Sequence, residues 1–275
     1  MPWQVDFYRR PLKDSTGQTL WELVICDPKN NLTYQAFCPQ SEANANWLVA
    51  QFQKVITSPE NQPEKIQVFR PQSLSLIQTA ADKLGIAVEA TRRTESLKNW
   101  LKAQQYSQSG EPFDPIALEK PPPVPLPEKL WGEKWRFATL MASDIEDSFA
   151  GQPMPILEIP EFLLPINLGI ASTLPVPGVV IDGGRQSLRL ARWIQESRPV
   201  ALNYIPGAPD GLILEAGLAD RWVVATFADD EVTLAAKIFE QRKQETKGLH
   251  FLLVQPDDSG MTYSGFWLLQ NVAEG

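Results

Sequence analysis

The chain has 275 residues, 43% of them hydrophobic, enough for two typical domains with buried cores. Its formal net charge is −8 and is unevenly placed: residues 1–110 hold 12 Lys/Arg against 10 Asp/Glu, residues 135–275 hold 10 against 18. That balance argues against a nonspecific nucleic-acid binder with a broad basic face, and leaves any RNA or DNA contact to local patches.

Residues 3–10 alternate Trp3, Val5, Phe7 against Gln4, Asp6, Tyr8, which predicts a strand. Polar turns at 13–17 and 27–31 separate it from strands at 20–26 and 32–38, an antiparallel meander. Ser41 is a candidate N-cap for a helix reaching about residue 57. A strand at 66–69, a helix at 73–84 stopped by Gly85, a strand at 88–92 and a helix at 96–106 follow. The order βββαβαβα is that of a ribonuclease H-like domain over residues 1–110. Residues 111–133 read as a proline-rich linker, because seven prolines between 111 and 127 favour stiff polyproline II over sheet or helix.

The second domain, 134–275, opens with strands at 134–141 and 156–159. A proline-studded apolar stretch, 162–177, is expected to wrap the core as ordered loop. A strand then leads through Gly183-Gly184 into a helix, followed by strands at 200–205, 212–216 and 221–227. A helix over 231–247 is closed by Gly248, and strands at 250–254 and 263–269 end the chain. From the first of these helices the order αβββαββ contains the core order of a restriction-endonuclease-like mixed sheet. Both domains are thus mixed α/β.

The chemistry begins at Val179–Trp193. Arg185, Arg189 and Arg192 are spaced i, i+4 and i+7, one helical stripe, with Leu188, Leu190, Ala191 and Ile194 on the other side. Unpaired N–H groups at Gly183 and Gly184, at a helix start, suit an anion such as phosphate. The same pattern also describes a capped surface helix with solvated arginines, and both readings stand. Trp3 and Tyr8 beside Arg9 and Arg10 form a second aromatic and basic cluster, which Arg92 and Arg93 on the fifth predicted strand extend.

Catalytic patterns are incomplete. Ribonuclease H chemistry needs carboxylates at the first strand and at the end of the fourth; Asp6 suits the first, but Arg70 follows the fourth strand. Glu42 reads as a helix-dipole partner. Pro209-Asp210 followed by Glu215 resembles the restriction-type carboxylate pair without its lysine, and Asp210-Gly211 reads better as a turn. The glycine pair lacks the signature of a Walker loop or a dinucleotide fingerprint, so no cofactor is expected, and no metal-ligand spacing occurs. His250 is the one histidine and reads as a packed sheet residue. Cys26 and Cys38 fall on neighbouring predicted strands, leaving a bridge or two buried thiols open. The start, MPWQVDFYRRP, shows no signal or transit pattern, and 153–181 holds two glutamates and six prolines, so a soluble protein without a transmembrane segment is expected.

Trp3–Pro11 followed by Leu20–Asp27, then Asp220-Arg221-Trp222-Val223, Gly248–Leu252 and Gly265–Gln270, resembles the Tab-two family at separated points along nearly the whole chain. These are cyanobacterial and chloroplast RNA-binding proteins of photosystem I translation. The family's C-terminal signature corresponds to Trp267, Leu268 and Leu269, a triplet that also suits simple packing on a terminal strand. The resemblance implies a noncatalytic factor that binds the 5′ untranslated region of a photosystem I message. It also implies a cyanobacterial cytoplasm or chloroplast stroma, and contacts with translation or assembly proteins. A protein-interaction scaffold and a divergent metal-dependent nuclease are the alternatives.

Overall fold

A computed structural model describes residues 2–29, 31–58, 61–104, 106, 113–145, 147–149 and 153–271. The chain divides into two compact units, Met1–Glu119 and Lys120–Gly275. Among the described residues no helix is long and apolar enough to cross a membrane.

Unit 1 is a five-stranded sheet built from β1 (Pro2–Lys13), β2 (Thr19–Asp27), β3 (Leu32–Pro39), β4 (Lys65–Val68) and β5 (Ala87–Ala90). Its helices are α1 (Ala45–Val55), α2 (Pro71–Asp82) and α3 (Glu95–Ala103). The spatial order is β3-β2-β1-β4-β5, with β1 antiparallel to β2 and parallel to β4. That order is consistent with a ribonuclease H-like layout. Strand alternation sends Trp3, Val5 and Phe7 to one face, where Leu48 and Phe52 of α1 and Ile77 and Ala80 of α2 cover them. On the other face Val24, Cys26 and Phe69 pack with Leu97 and Leu101 of α3.

Several local expectations are corrected. The cap of α1 is Asn44, whose side chain accepts the N–H groups of Asn46 and Trp47; Ser41 lies in a preceding 3-10 turn. β5 stops at Ala90, so Arg92 and Arg93 lie beyond it in the loop to α3. Cys26 and Cys38 are free thiols in clusters on opposite sheet faces, paired across β2 and β3 with Thr33 and Trp21 respectively, so they cannot bridge. Burial raises both thiols above their ordinary range, Cys38 to about 11. Gly85, at φ +67°, supplies the left-handed residue after α2 that the sequence predicts.

The proline-rich stretch is not a free spacer over its described part. Ile116 belongs to the unit 1 core. Val124–Pro125 form a two-residue strand, β6, and Leu126 and Leu130 are buried in unit 2. Proline enters the sheet here because β6 is an edge strand, where a missing N–H leaves no ladder bond broken.

Unit 2 continues with β7 (Lys134–Met141), β8 (Ile156–Glu158), β9 (Pro175–Asp182) and α4 (Ser187–Ser197). Then come β10 (Pro199–Ile205), β11 (Asp210–Ala216), β12 (Asp220–Phe227), α5 (Asp230–Glu245), β13 (Leu249–Gln255) and β14 (Gly265–Gln270). The order αβββαββ is as read from the sequence, but its strands are divided over two sheets, β10-β11-β12-β6 and β7-β9-β13-β14-β8. Both sides of β13 are taken, by β9 and β14, so the β10–β12 meander does not pair with it and forms its own sheet with β6. α4 packs Leu190, Ala191 and Ile194 into the core with Leu212 and Leu214 of β11 and Leu252 of β13. Leu188 is not among them: it is exposed. The proline-studded segment closes the opposite face of the larger sheet, with Leu163 and Ile170 against Phe251, Phe266 and Leu268.

α5 is capped by Asp229, which accepts N–H groups from Glu231 and Val232, and is followed by Gly248 at φ +81°. A methyl group at Gly248 would overlap the backbone of Asn271. Gly248→Ala is therefore expected to lower stability by about 1–3 kcal/mol, measured as a lower urea midpoint at unchanged slope. A midpoint within error of the parent would contradict this geometry.

Candidate nucleic-acid interface

β1 turns Asp6 and Arg10 toward the α3 face, where they meet Glu22 of β2 and Arg70 from the end of β4. Arg10 donates to Glu22 Oε2 at 2.6 Å and to Asp6 Oδ2 at 2.9 Å. Arg70 donates to Asp6 Oδ1 at 2.9 Å, to Pro115 O at 2.7 Å and to Ala117 O at 2.9 Å. Ser73 donates to Asp6 and Tyr106 to Glu22. Burial alone would lower the Arg10 guanidinium's pKa, but Asp6 and Glu22 outweigh it and hold the pKa raised. Burial, then the bond to Glu22, raises Tyr106. Two carboxylates and two guanidiniums neutralise one another here.

Arg10 is 2% exposed, so the expectation of an RNA contact there is withdrawn. The aromatic and basic pattern read as a surface cluster is half internal. Arg9 is exposed, with its guanidinium 5.8 Å from the Tyr8 ring centroid, while Arg70 stacks on that ring at 4.2 Å. Asp6, at the position that suggested nuclease chemistry, accepts arginine N–H groups on both oxygens. Arg92 and Arg93 follow β5 at the end of the sheet toward which β1 runs, because β1, β4 and β5 are parallel. The Arg92 carbonyl accepts Lys98 Nζ at 2.6 Å, and burial, partly offset by Glu95 and Glu89, lowers Arg93.

The glycine pair before α4 is closed to phosphate. The Gly183 N–H donates to Gln255 O at 2.8 Å and the Gly184 N–H to Pro256 O at 2.9 Å. The Glu133 carboxylate occupies the space beside Gly184, where it opposes an anion. α4 itself carries Arg189 and Arg192, whereas Arg185 lies in the 3-10 turn Gly184–Gln186 that precedes it. Arg185, Arg189 and Arg192 are all exposed, as is Arg198 after the helix, and none of the four has an ion pair or side-chain hydrogen bond among the described residues. Trp193, half-buried one turn after Arg189, meets Trp222 edge to face at 5.1 Å. The Trp222 indole N–H is buried without a partner among the described residues.

The remaining polar candidates are structural. Asp210 accepts Thr233 Oγ1 at 2.6 Å, the Gly207 N–H at 2.8 Å and Tyr204 OH at 3.0 Å, and these bonds, Thr233 first, lower its pKa. It pins the β10–β11 turn, and Glu215 pairs with Lys120 at 3.5 Å. Trp267, Leu268 and Leu269 are buried on β14, which has a core on each face. The signature triplet thus offers no free surface.

The profile described as RNA-binding protein Tab2/Atab2 N terminal matches residues 2–104, and that of the Tab2/Atab2 C-terminal domain matches residues 113–270. The chain belongs to the Tab2/Atab2 family of RNA-binding proteins. The chloroplastic TAB2 homolog of Arabidopsis thaliana is 30% identical over 290 residues, covering 97% of this chain and 74% of that one. The Zea mays homolog is 32% identical over 290 residues, covering 97% and 70%. A chain in the cryo-EM structure of a simian T-cell lymphotropic virus intasome with the PP2A regulatory subunit B56 gamma overlaps 37% of this chain and 38% of its own. It does so at 16% identity and a TM-score of 0.28, too low to carry an argument. In this Tab2/Atab2 chain Arg9, Arg93, Arg185, Arg189 and Arg192 of the predicted arginines are exposed, while the buried Asp6–Arg10–Arg70–Glu22 network had no counterpart among the sequence expectations. Its one local trace was the placing of Asp6 and Arg10 four residues apart on the same face of β1.

Proposed function

We propose that this Tab2/Atab2 protein is a noncatalytic factor that binds the 5′ untranslated region of a photosystem I reaction-centre message and promotes its translation. It acts in a cyanobacterial cytoplasm or a chloroplast stroma, and its plant relatives are named chloroplastic. The observation that carries RNA contact is the row Arg185, Arg189 and Arg192, exposed and without partners among the described residues, in a half of the chain rich in acid. Like charges at this spacing repel, and a phosphate backbone relieves that repulsion. Trp193 beside the row suits an unstacked base. A noncatalytic reading is supported by Asp6 and Asp210, whose oxygens are already engaged by arginines, hydroxyls and amide N–H groups.

Changing Arg185, Arg189 and Arg192 together to alanine is expected to flatten the log–log salt dependence of single-stranded leader-RNA binding by about 2, roughly 0.7 for each phosphate no longer neutralised. Fluorescence anisotropy between 50 and 200 mM salt reads this. An unchanged slope would remove the α4 row from the interface.

A scaffold role has its own support in Leu157, Phe162 and Ile166, exposed at 47%, 49% and 79% in and around the proline-studded segment. Ribosomal or assembly proteins that stay bound after RNase treatment would favour it over direct RNA contact.

A further inference from the structure

The end of β1 opens into a cavity of about 430 Å³ that the α4 row does not use. Its floor is Arg10 and Arg70, every guanidinium nitrogen of which is already engaged by a carboxylate or a carbonyl. The floor therefore presents flat, saturated surfaces rather than an anion site. The open polar groups that line it are Arg9, Asp114 and Glu119. Asp114 Oδ1 is taken by the Ile116 N–H, whereas the exposed Glu119 carboxylate has no partner among the described residues. Phe113 contributes an exposed ring, held edge to face by Tyr106 at 5.8 Å.

A ligand that fits these walls is flat, donates two adjacent hydrogen bonds to a carboxylate and accepts from a guanidinium. Guanine does so, with N1–H and the N2 amino group on one edge and O6 and N7 on the other. Uracil sets carbonyls on both sides of its one N–H, where a carboxylate repels them. Adenine and cytosine each set a ring acceptor beside their amino group. Two carboxylates against one free arginine also leave the cavity negative, which admits a neutral base and keeps phosphates at its mouth. The volume lies within the range of small-molecule sites.

We infer that this cavity holds one unpaired guanine of the bound RNA, stacked on Phe113, with Glu119 across its Watson–Crick edge and Arg9 toward O6 and N7. The inference rests on the RNA-binding reading above and adds base selection to it.

The test titrates the full chain with two single-stranded RNA decamers, one with a single central guanine and one with uracil in its place, and with the four nucleoside monophosphates. The guanine decamer should bind about tenfold or more tighter, as a bidentate pair implies. Guanosine monophosphate should bind tightest of the four. Glu119→Gln should erase both preferences while leaving affinity for the uracil decamer and the melting temperature unchanged. Equal binding of the two decamers, or a preference that survives Glu119→Gln, overturns the guanine site and leaves RNA binding standing. Binding of neither decamer, with the monophosphate preference intact, overturns the RNA reading and keeps the cavity as a guanine site.

Discussion

Arg70→Ala is expected to destabilise unit 1 by about 3–5 kcal/mol, the range for removing one partner of a buried ion pair. Arg70 is 2% exposed and holds two kinds of group at once. It neutralises Asp6, which is fully buried beside a second buried carboxylate, Glu22. It also holds the carbonyls of Pro115 and Ala117, which fixes the segment after α3 across the end of the sheet. With alanine in its place, Arg10 faces two carboxylates alone, the Ala117 carbonyl loses its arginine donor, and that of Pro115 keeps only Arg10 at 3.4 Å. The urea midpoint of the first unfolding transition reads the effect. A double change, Asp6→Asn with Arg70→Met, should be milder than the two single losses added together, because the uncompensated charge disappears with its partner. Additive losses, or an Arg70→Ala loss below about 1 kcal/mol, would mean that the four charges do not act as one network.

That network marks where the sequence was legible and where it was not. The strands of unit 1 were readable because their alternation is local: Trp3, Val5 and Phe7 define a buried face within five residues. The partners of Asp6 are not local. Arg70 lies 64 residues away and reaches Asp6 only because β4 pairs parallel with β1. Nothing in Tyr8-Arg9-Arg10 separates an exposed arginine from a buried one until Glu22 is placed beside it by the β1–β2 register. The glycine pair failed for the same reason. Its N–H groups are consumed by carbonyls at Gln255 and Pro256, brought alongside by the parallel pairing of β13 with β9. The pair Arg189 and Arg192 on α4 was legible, since helical period alone sets which side chains share a face, but the 3-10 turn that holds Arg185 before the helix was not. Strand identity in unit 2 was also legible, but which edges were free was not, and edges decide that the strands form two sheets.

Unit 2 is expected to lose stability as pH falls from about 6.5 toward 3, through a single buried group, His250. The imidazole is fully buried. Its Nε2 accepts the Leu202 N–H at 2.8 Å, which assigns the remaining proton to Nδ1, 2.8 Å from the Gly248 carbonyl. The bond from Leu202 requires the neutral ring, whereas the bond to the Gly248 carbonyl would survive protonation and works weakly in its favour. A second proton would face the Leu202 N–H directly and lie near the Lys243 ammonium, itself held by Leu202 O at 2.6 Å and Glu240 at 2.9 Å. Burial first, and Lys243 second, therefore push His250 down to about 3. The unfolded chain takes up this proton near 6.5 and the folded chain refuses it until about 3. The contribution is fully present above 6.5 and is lost across that window, to an order-of-magnitude total of about 5 kcal/mol. Carboxylates add their own pH dependence lower down, so the diagnostic interval is pH 6.5 to 5. There the slope of unfolding free energy should approach about 1.4 kcal/mol per pH unit more in the parent than in His250→Gln, which keeps a neutral acceptor and cannot titrate. Parallel pH profiles for the two proteins would mean that the ring is protonated in the fold, and the Leu202 amide would then need another acceptor.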